Sequence, residues 1–180
     1  MRTFISGGCK NGKSFAAQRI AKVGGAPLYY VATMISTGAD DDARIARHIA
    51  DRAGWGFETV ECGRNILTAL DQADPNGSFL LDSVTALLAN EMFSPDGFDA
   101  NAGERVTAEI AEFAARVRSA VFVSDFIYSD ARIFDEWTEL YRRSLAKADA
   151  ALAACCENVL EISSGIAIVH KGVNPLCGII

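Results

Sequence analysis

The chain has few of the residues that build metal centres or disulfide frameworks. It holds two histidines, His48 and His170, in 180 residues. Neither has a cysteine at ligand spacing, so a zinc site is not expected. None of the five cysteines (Cys9, Cys62, Cys155, Cys156 and Cys177) stands in a C-x-x-C pair. An odd number without such pairs reads as reduced thiols packed as small hydrophobes. No window approaches the ~18 consecutive apolar residues of a membrane span. The first apolar run, Thr3 to Ser6, is too short for a signal peptide. A cytoplasmic protein with no membrane partner is expected. Basic residues are outnumbered, 17 Lys plus Arg against 23 Asp plus Glu, for a net charge of −6. That balance lacks the basic footprint of a general nucleic-acid binder.

Apolar residues, in contrast, make up half of the chain. That suits one compact domain over residues 1–180 with a real core. Apolar runs alternate with helical patterns. Strands are expected at Thr3–Ser6, Pro27–Met34, Phe57–Cys62, Ser78–Val84, Ala120–Asp125, Asn158–Ser163 and Ile166–His170. Helices are expected at Lys13–Val23, Asp40–Ala53, Ile66–Ala73, Thr85–Phe93, Gly103–Ser119 and Ala131–Cys156, with Ser94–Asn101 as a loop. This alternation predicts an α/β fold with a mainly parallel sheet. The continuous apolar strands agree, because a central parallel strand is covered on both faces.

The most informative stretch is GGCKNGKS: Gly7, Gly8, Cys9, Lys10, Asn11, Gly12, Lys13 and Ser14. It fits G-x-x-x-x-G-K-[ST] and lies between an expected strand and helix, the context of a phosphate-binding loop. Its glycines let several backbone N–H groups face one anion, and the following helix adds its positive end. Lys13 would reach the outer phosphates of a nucleoside triphosphate, and Ser14 would ligate Mg²⁺. A second acid is expected at the end of a buried strand. Asp82 closes FLLD and Asp125 closes VFVSD; Asp82 is favoured because its strand is the more uniformly apolar.

A second stretch is DDDARIARHIADR, residues Asp40 to Arg52. On a helix, Arg44, His48 and Arg52 share one stripe, while Ile45 and Ile49 form another that should face the core. The stripe reads either as an ordinary solvated face or as a histidine nucleophile flanked by arginines able to clamp phosphates.

Together these motifs resemble a known family, the bifunctional adenosylcobinamide kinase/adenosylcobinamide-phosphate guanylyltransferases of cobalamin biosynthesis. The likeness runs through GGCKNGKS, with Asn11 where the family has Ser, and YVAT at Tyr30–Thr33. It continues in R-I-x-x-H-x-x-x-R at Arg44, Ile45, His48 and Arg52, in Trp55 and Glu61, in LLDSVTALLAN, and in SSGI at Ser163–Ile166. The resemblance implies a RecA-like P-loop fold with helices on both faces of the sheet, often assembled as a trimer. It implies two reactions using ATP or GTP with Mg²⁺. The first is phosphorylation of adenosylcobinamide; the second is transfer of GMP from GTP onto that phosphate. It implies His48 as the group guanylylated in between, with Lys13 as a catalytic partner. It places Arg44, Arg52, Glu61 and Asp82 among the nucleotide-binding residues, Asp82 and Ser14 also serving the metal.

One segment departs from the family. After AVFVSD the family reads N-E-V-G-x-G-I-V-P, later F-R-D and N-Q. Here the matching residues are DFIYSDARI from Asp125, YRR from Tyr141, and Asp149–Ala150, so that only Arg142 persists. Phe126 stands in place of an acid. The change falls on acceptor recognition or on one of the two activities, and the alternative readings are a P-loop small-molecule kinase without guanylyl transfer and a non-catalytic nucleotide-binding module.

Overall fold

The structure is a computed structural model that describes residues 1–95, 97–129 and 131–177. In chain order its elements are β1 (Arg2–Ser6), α1 (Lys13–Val23), β2 (Leu28–Ala32), α2 (Ala39–Asp51) and β3 (Phe57–Glu61). A 3-10 helix (Ile66–Asp71), β4 (Ser78–Asp82), α3 (Val84–Met92), β5 (Phe93–Ser94) and β6 (Gly97–Phe98) follow. The last are α4 (Ala102–Arg116), β7 (Ser119–Val123), α5 (Glu136–Cys155), β8 (Asn158–Ser163) and β9 (Ile166–Lys171).

Seven strands form one sheet in the order β3-β2-β4-β7-β1-β8-β9. All neighbours are parallel except β9, which runs antiparallel to β8. This is the expected α/β sheet. β7 is buried at every position because both faces are covered, which is why its sequence does not alternate. One face carries Phe79, Leu81 and Phe122 and packs on α3, α4 and α5. The other carries Ile5, Leu80 and Val121 and packs on α1 through Ala17, Ile20 and Ala21. The chain leaves β1 toward β2 on one side, while β8 lies on its other side. The loop after β1 thus sits where the connections diverge, the usual crevice for ligands in open α/β sheets.

α3 does not run straight back down the sheet. Near its start the Thr85 hydroxyl accepts from the Asp125 backbone N–H at the end of β7, at 2.8 Å. Further along, the Asn90 amide donates to the carbonyls of Thr33 and Gly63, just beyond β2 and β3, at 2.7 and 2.9 Å. α3 therefore lies along the carboxyl edge of the strands, and the β5–β6 hairpin that follows it stays at that edge.

Three expectations are corrected. Residues 131–135 are irregular, and the last helix begins only at Glu136, where the Asp135 side chain caps it by accepting from the Thr138 N–H. The segment taken as a plain loop, Ser94–Asn101, contributes to the small β5–β6 hairpin. The third concerns α2, which has the expected amphipathic spacing but no buried residue, with Ile49 51% exposed. Ile49 does not face the core, and Ile45 is only half-buried.

No helix among the described residues is long and apolar enough to cross a membrane. The core centres on Phe79, fully buried with its ring 5.0 Å from that of Tyr29 and 5.4 Å from that of Phe113. Phe79→Ala should lower the unfolding free energy by about 3 to 5 kcal/mol, read as a shift of the urea midpoint. A loss below about 1 kcal/mol would contradict this packing.

Candidate active site

The loop between β1 and α1 is shaped by three residues with positive φ: Gly7 at 152°, Lys10 at 57° and Gly12 at 93°. Gly7 is also pressed against β8, where a Cβ would strike the carbonyl oxygen of Ile162. The Asn11 amide donates to that same carbonyl and holds the loop to the sheet. Such alternation of backbone hand turns successive N–H groups toward one point.

Lys13 is only 6% exposed. Its ammonium donates to the Gly8 carbonyl at 2.6 Å and to Asp125 Oδ1 at 2.8 Å. A buried cation needs such partners, since leaving it unpaired is far costlier than pairing it. Around Asp125 the loop, β7, α3 and α5 are joined. The Phe126 N–H donates to the Gly7 carbonyl at 3.0 Å, and the Tyr141 hydroxyl donates to the Thr85 carbonyl at 3.0 Å. Ser14 follows in the first turn of α1.

Asp82 ends β4, two strands from β1, and accepts from the Tyr30 hydroxyl at 3.0 Å. Burial, reinforced by the Asp82 charge, drives the Tyr30 phenol well above its ordinary pKa, so it remains a donor. The other side of the Tyr30 ring is covered by the Arg52 guanidinium at 4.1 Å, which also donates to the Thr59 hydroxyl at 3.1 Å. Arg52 is buried in this role, whereas Arg44 is exposed and lies 3.9 Å from Asp41. His48 is half-buried and Glu61 exposed. Among the described residues, no hydrogen bond or ion pair joins Arg44, His48, Arg52 or Glu61 to Gly7–Ser14. The structure thus gathers Gly7, Gly8, Cys9, Lys10, Asn11, Gly12, Lys13 and Ser14 with Asp125, and leaves the α2 residues apart.

Comparison with known proteins resolves what such a loop belongs to. The model of the family described as cobinamide kinase / cobinamide phosphate guanyltransferase matches residues 3–169. The chain belongs to this family. It is also 27% identical over 173 residues to the bifunctional adenosylcobalamin biosynthesis protein CobP of Pseudomonas aeruginosa, covering 96% of this chain and 98% of that one. As a member of the cobinamide kinase/guanyltransferase family it is an enzyme of the kinase and nucleotidyltransferase kind, with a P-loop fold and a nucleoside triphosphate as substrate.

Motif reading missed several residues at this site. Thr85 and Tyr141 connect Asp125 to two helices, yet neither belongs to a spacing motif. Asp149 had a signal of its own, an acid within the alanine-rich stretch of α5. It is 3% exposed, and Oδ2 accepts from the Tyr128 hydroxyl at 3.0 Å. Burial pushes its pKa up to about 6; the Asp125 charge adds to the rise, and the Ser124 and Tyr128 hydroxyls oppose it.

This shift has a definite sign. The folded state holds the Asp149 proton more tightly than the unfolded chain. The stability it contributes is therefore complete below the unfolded pKa, near 4, and is lost as pH rises through about 6. Asp149→Asn removes the titration. Its unfolding free energy relative to wild type should rise by about 2 to 3 kcal/mol between pH 4 and pH 8. Urea denaturation at the two pH values measures it, and a difference that does not change with pH would contradict the buried acid.

Proposed function

We propose that this chain phosphorylates cobinamide and then guanylylates the product through a histidine. The observation that carries the reading is the buried Lys13 ammonium held at the mouth of a preformed anion nest. Without nucleotide, Gly8 and Asp125 neutralise it; with nucleotide, phosphate oxygens take over part of that role. The loop N–H groups and the start of α1 stabilise the charge that develops on the transferring phosphoryl group.

In the first reaction the acceptor hydroxyl oxygen attacks the γ-phosphorus and loses its proton. The bond to the β–γ bridging oxygen breaks, and the nucleoside diphosphate leaves. In the second, an imidazole nitrogen of His48 attacks the α-phosphorus of GTP and pyrophosphate leaves with the bonding pair. An oxygen of cobinamide phosphate then attacks the same phosphorus, and the N–P pair returns to the imidazole. Splitting one displacement into two in this way is covalent catalysis.

The donor set suits Mg²⁺, which takes one or two carboxylates together with substrate phosphates and water. Ser14 would ligate it and Asp82 would hold its water shell, since Asp125 is engaged by Lys13. When bound, the ion neutralises phosphate charge. Arg44 and Arg52 remain candidates for the phosphate clamp, and Glu61 for nucleotide contact. α2 buries no side chain, so bringing His48 to the loop breaks no core packing.

One observation favours a second reading, a kinase without guanylyl transfer: His48 makes no hydrogen bond among the described residues. The two readings separate with GTP labelled at the α-phosphate. Wild-type protein should retain acid-labile label in the presence of Mg²⁺. His48→Ala should retain none, yet still move the γ-phosphate of ATP or GTP to cobinamide. Absence of retained label on wild-type protein would leave only the kinase.

A further inference from the structure

Large apolar side chains stand exposed along two stretches at the carboxyl edge of the sheet. They are Phe93 in the hairpin, Phe126 and Ile127 just after β7, Ile133, and Trp137 in the first turn of α5. Two of these rings, Phe93 and Trp137, are joined into a continuous shelf by the half-buried Phe98. The Phe98 ring lies 4.2 Å from that of Trp137 and 5.2 Å from that of Phe93. Trp137 is 52% exposed and Phe93 47% exposed. Rings that touch one another while leaving half their surface in water mark a binding surface more than a core.

The shelf is tied to the phosphate site. Phe93 packs on Tyr141 with ring centroids 5.9 Å apart. The Tyr141 hydroxyl donates to the carbonyl of Thr85, whose own hydroxyl accepts from the Asp125 N–H. Asp125 in turn holds Lys13. The loop amides and Lys13 are placed to serve the nucleotide's phosphates, a task that does not call on these rings.

We propose that Phe93, Phe98 and Trp137 are the platform on which the corrinoid acceptor lies while its hydroxyl arm reaches the phosphate loop. This rests on the function proposed above and adds to it the surface that selects the acceptor. The chemistry fits. Cobinamide carries a broad, methyl-studded macrocycle fringed with amides, and a rigid aromatic shelf buries such a body at little cost in side-chain entropy. The shelf borders the segment after Asp125, where the chain lacks its family's glycines and proline.

The test is steady-state phosphorylation of cobinamide at saturating nucleotide. Trp137→Ala and Phe93→Ala should each raise the KM for cobinamide about tenfold. The kcat should stay within about twofold and the KM for the nucleotide should not move. Trp137→Phe should recover most of the loss, since it keeps a ring. Both side chains are half in solvent, so neither truncation should prevent folding. A KM for cobinamide that is unchanged in both alanine variants overturns the platform. If Trp137→Ala instead changes the subunit number by sedimentation velocity, the shelf belongs to a second copy of the chain and the proposal is also overturned. Wild-type protein that turns over no cobinamide in the same assay overturns the function itself, before any variant is compared.

Discussion

The site depends on one buried ammonium group. Lys13 is nearly sealed from water, and its charge is answered by the Gly8 carbonyl and by Asp125. An ammonium so placed must be paired or give up its proton. Here the pairing crosses the chain, from the loop after β1 to the end of β7. Asp125 is held in turn by Thr85 at the head of α3, and Thr85 by Tyr141 of α5. A single electrostatic requirement thereby links the sheet, both neighbouring helices and the phosphate loop in one arrangement. The loop's handedness belongs to the same requirement: Gly7 lies against β8 where no side chain fits, and Gly12 turns the backbone into α1.

The α2 side is built differently. β2, β3 and β4 carry Tyr30, Thr59 and Asp82, and Arg52 seals this group by covering the Tyr30 ring. The end of α2 is therefore anchored while the rest of the helix buries nothing. Rigid phosphate chemistry on one side and a loosely covered histidine helix on the other match a two-reaction enzyme. In the proposed mechanism one reaction needs only the loop, and the other needs His48 as well.

Much of this was legible in the sequence. Strand and helix order followed from apolar runs and helical spacing, and GGCKNGKS sat where a phosphate loop must sit. Periodicity misled at α2, because an apolar stripe shows that a helix is amphipathic but not what covers it. Ile45 and Ile49 have the spacing of a buried face, yet the first is only half-buried and the second is exposed. By spacing alone Arg44 and Arg52 look equivalent, yet one is exposed and the other stacks on a tyrosine. Strand apolarity favoured Asp82 as the acid serving the metal, and it carried no sign that Asp125 would partner Lys13. Which acid meets the lysine depends on strand order, since β7 and not β4 lies beside β1, and strand order is not local information. The Phe93–Phe98–Trp137 shelf comes from contacts between elements far apart in the chain, which no motif reports.

Cobinamide incubated with the wild-type protein, GTP and Mg²⁺ should be analysed by mass spectrometry over time. Cobinamide phosphate should appear first and its GMP adduct second, with pyrophosphate released in step with the adduct. Cobinamide recovered unchanged while GTP is bound or hydrolysed would contradict it.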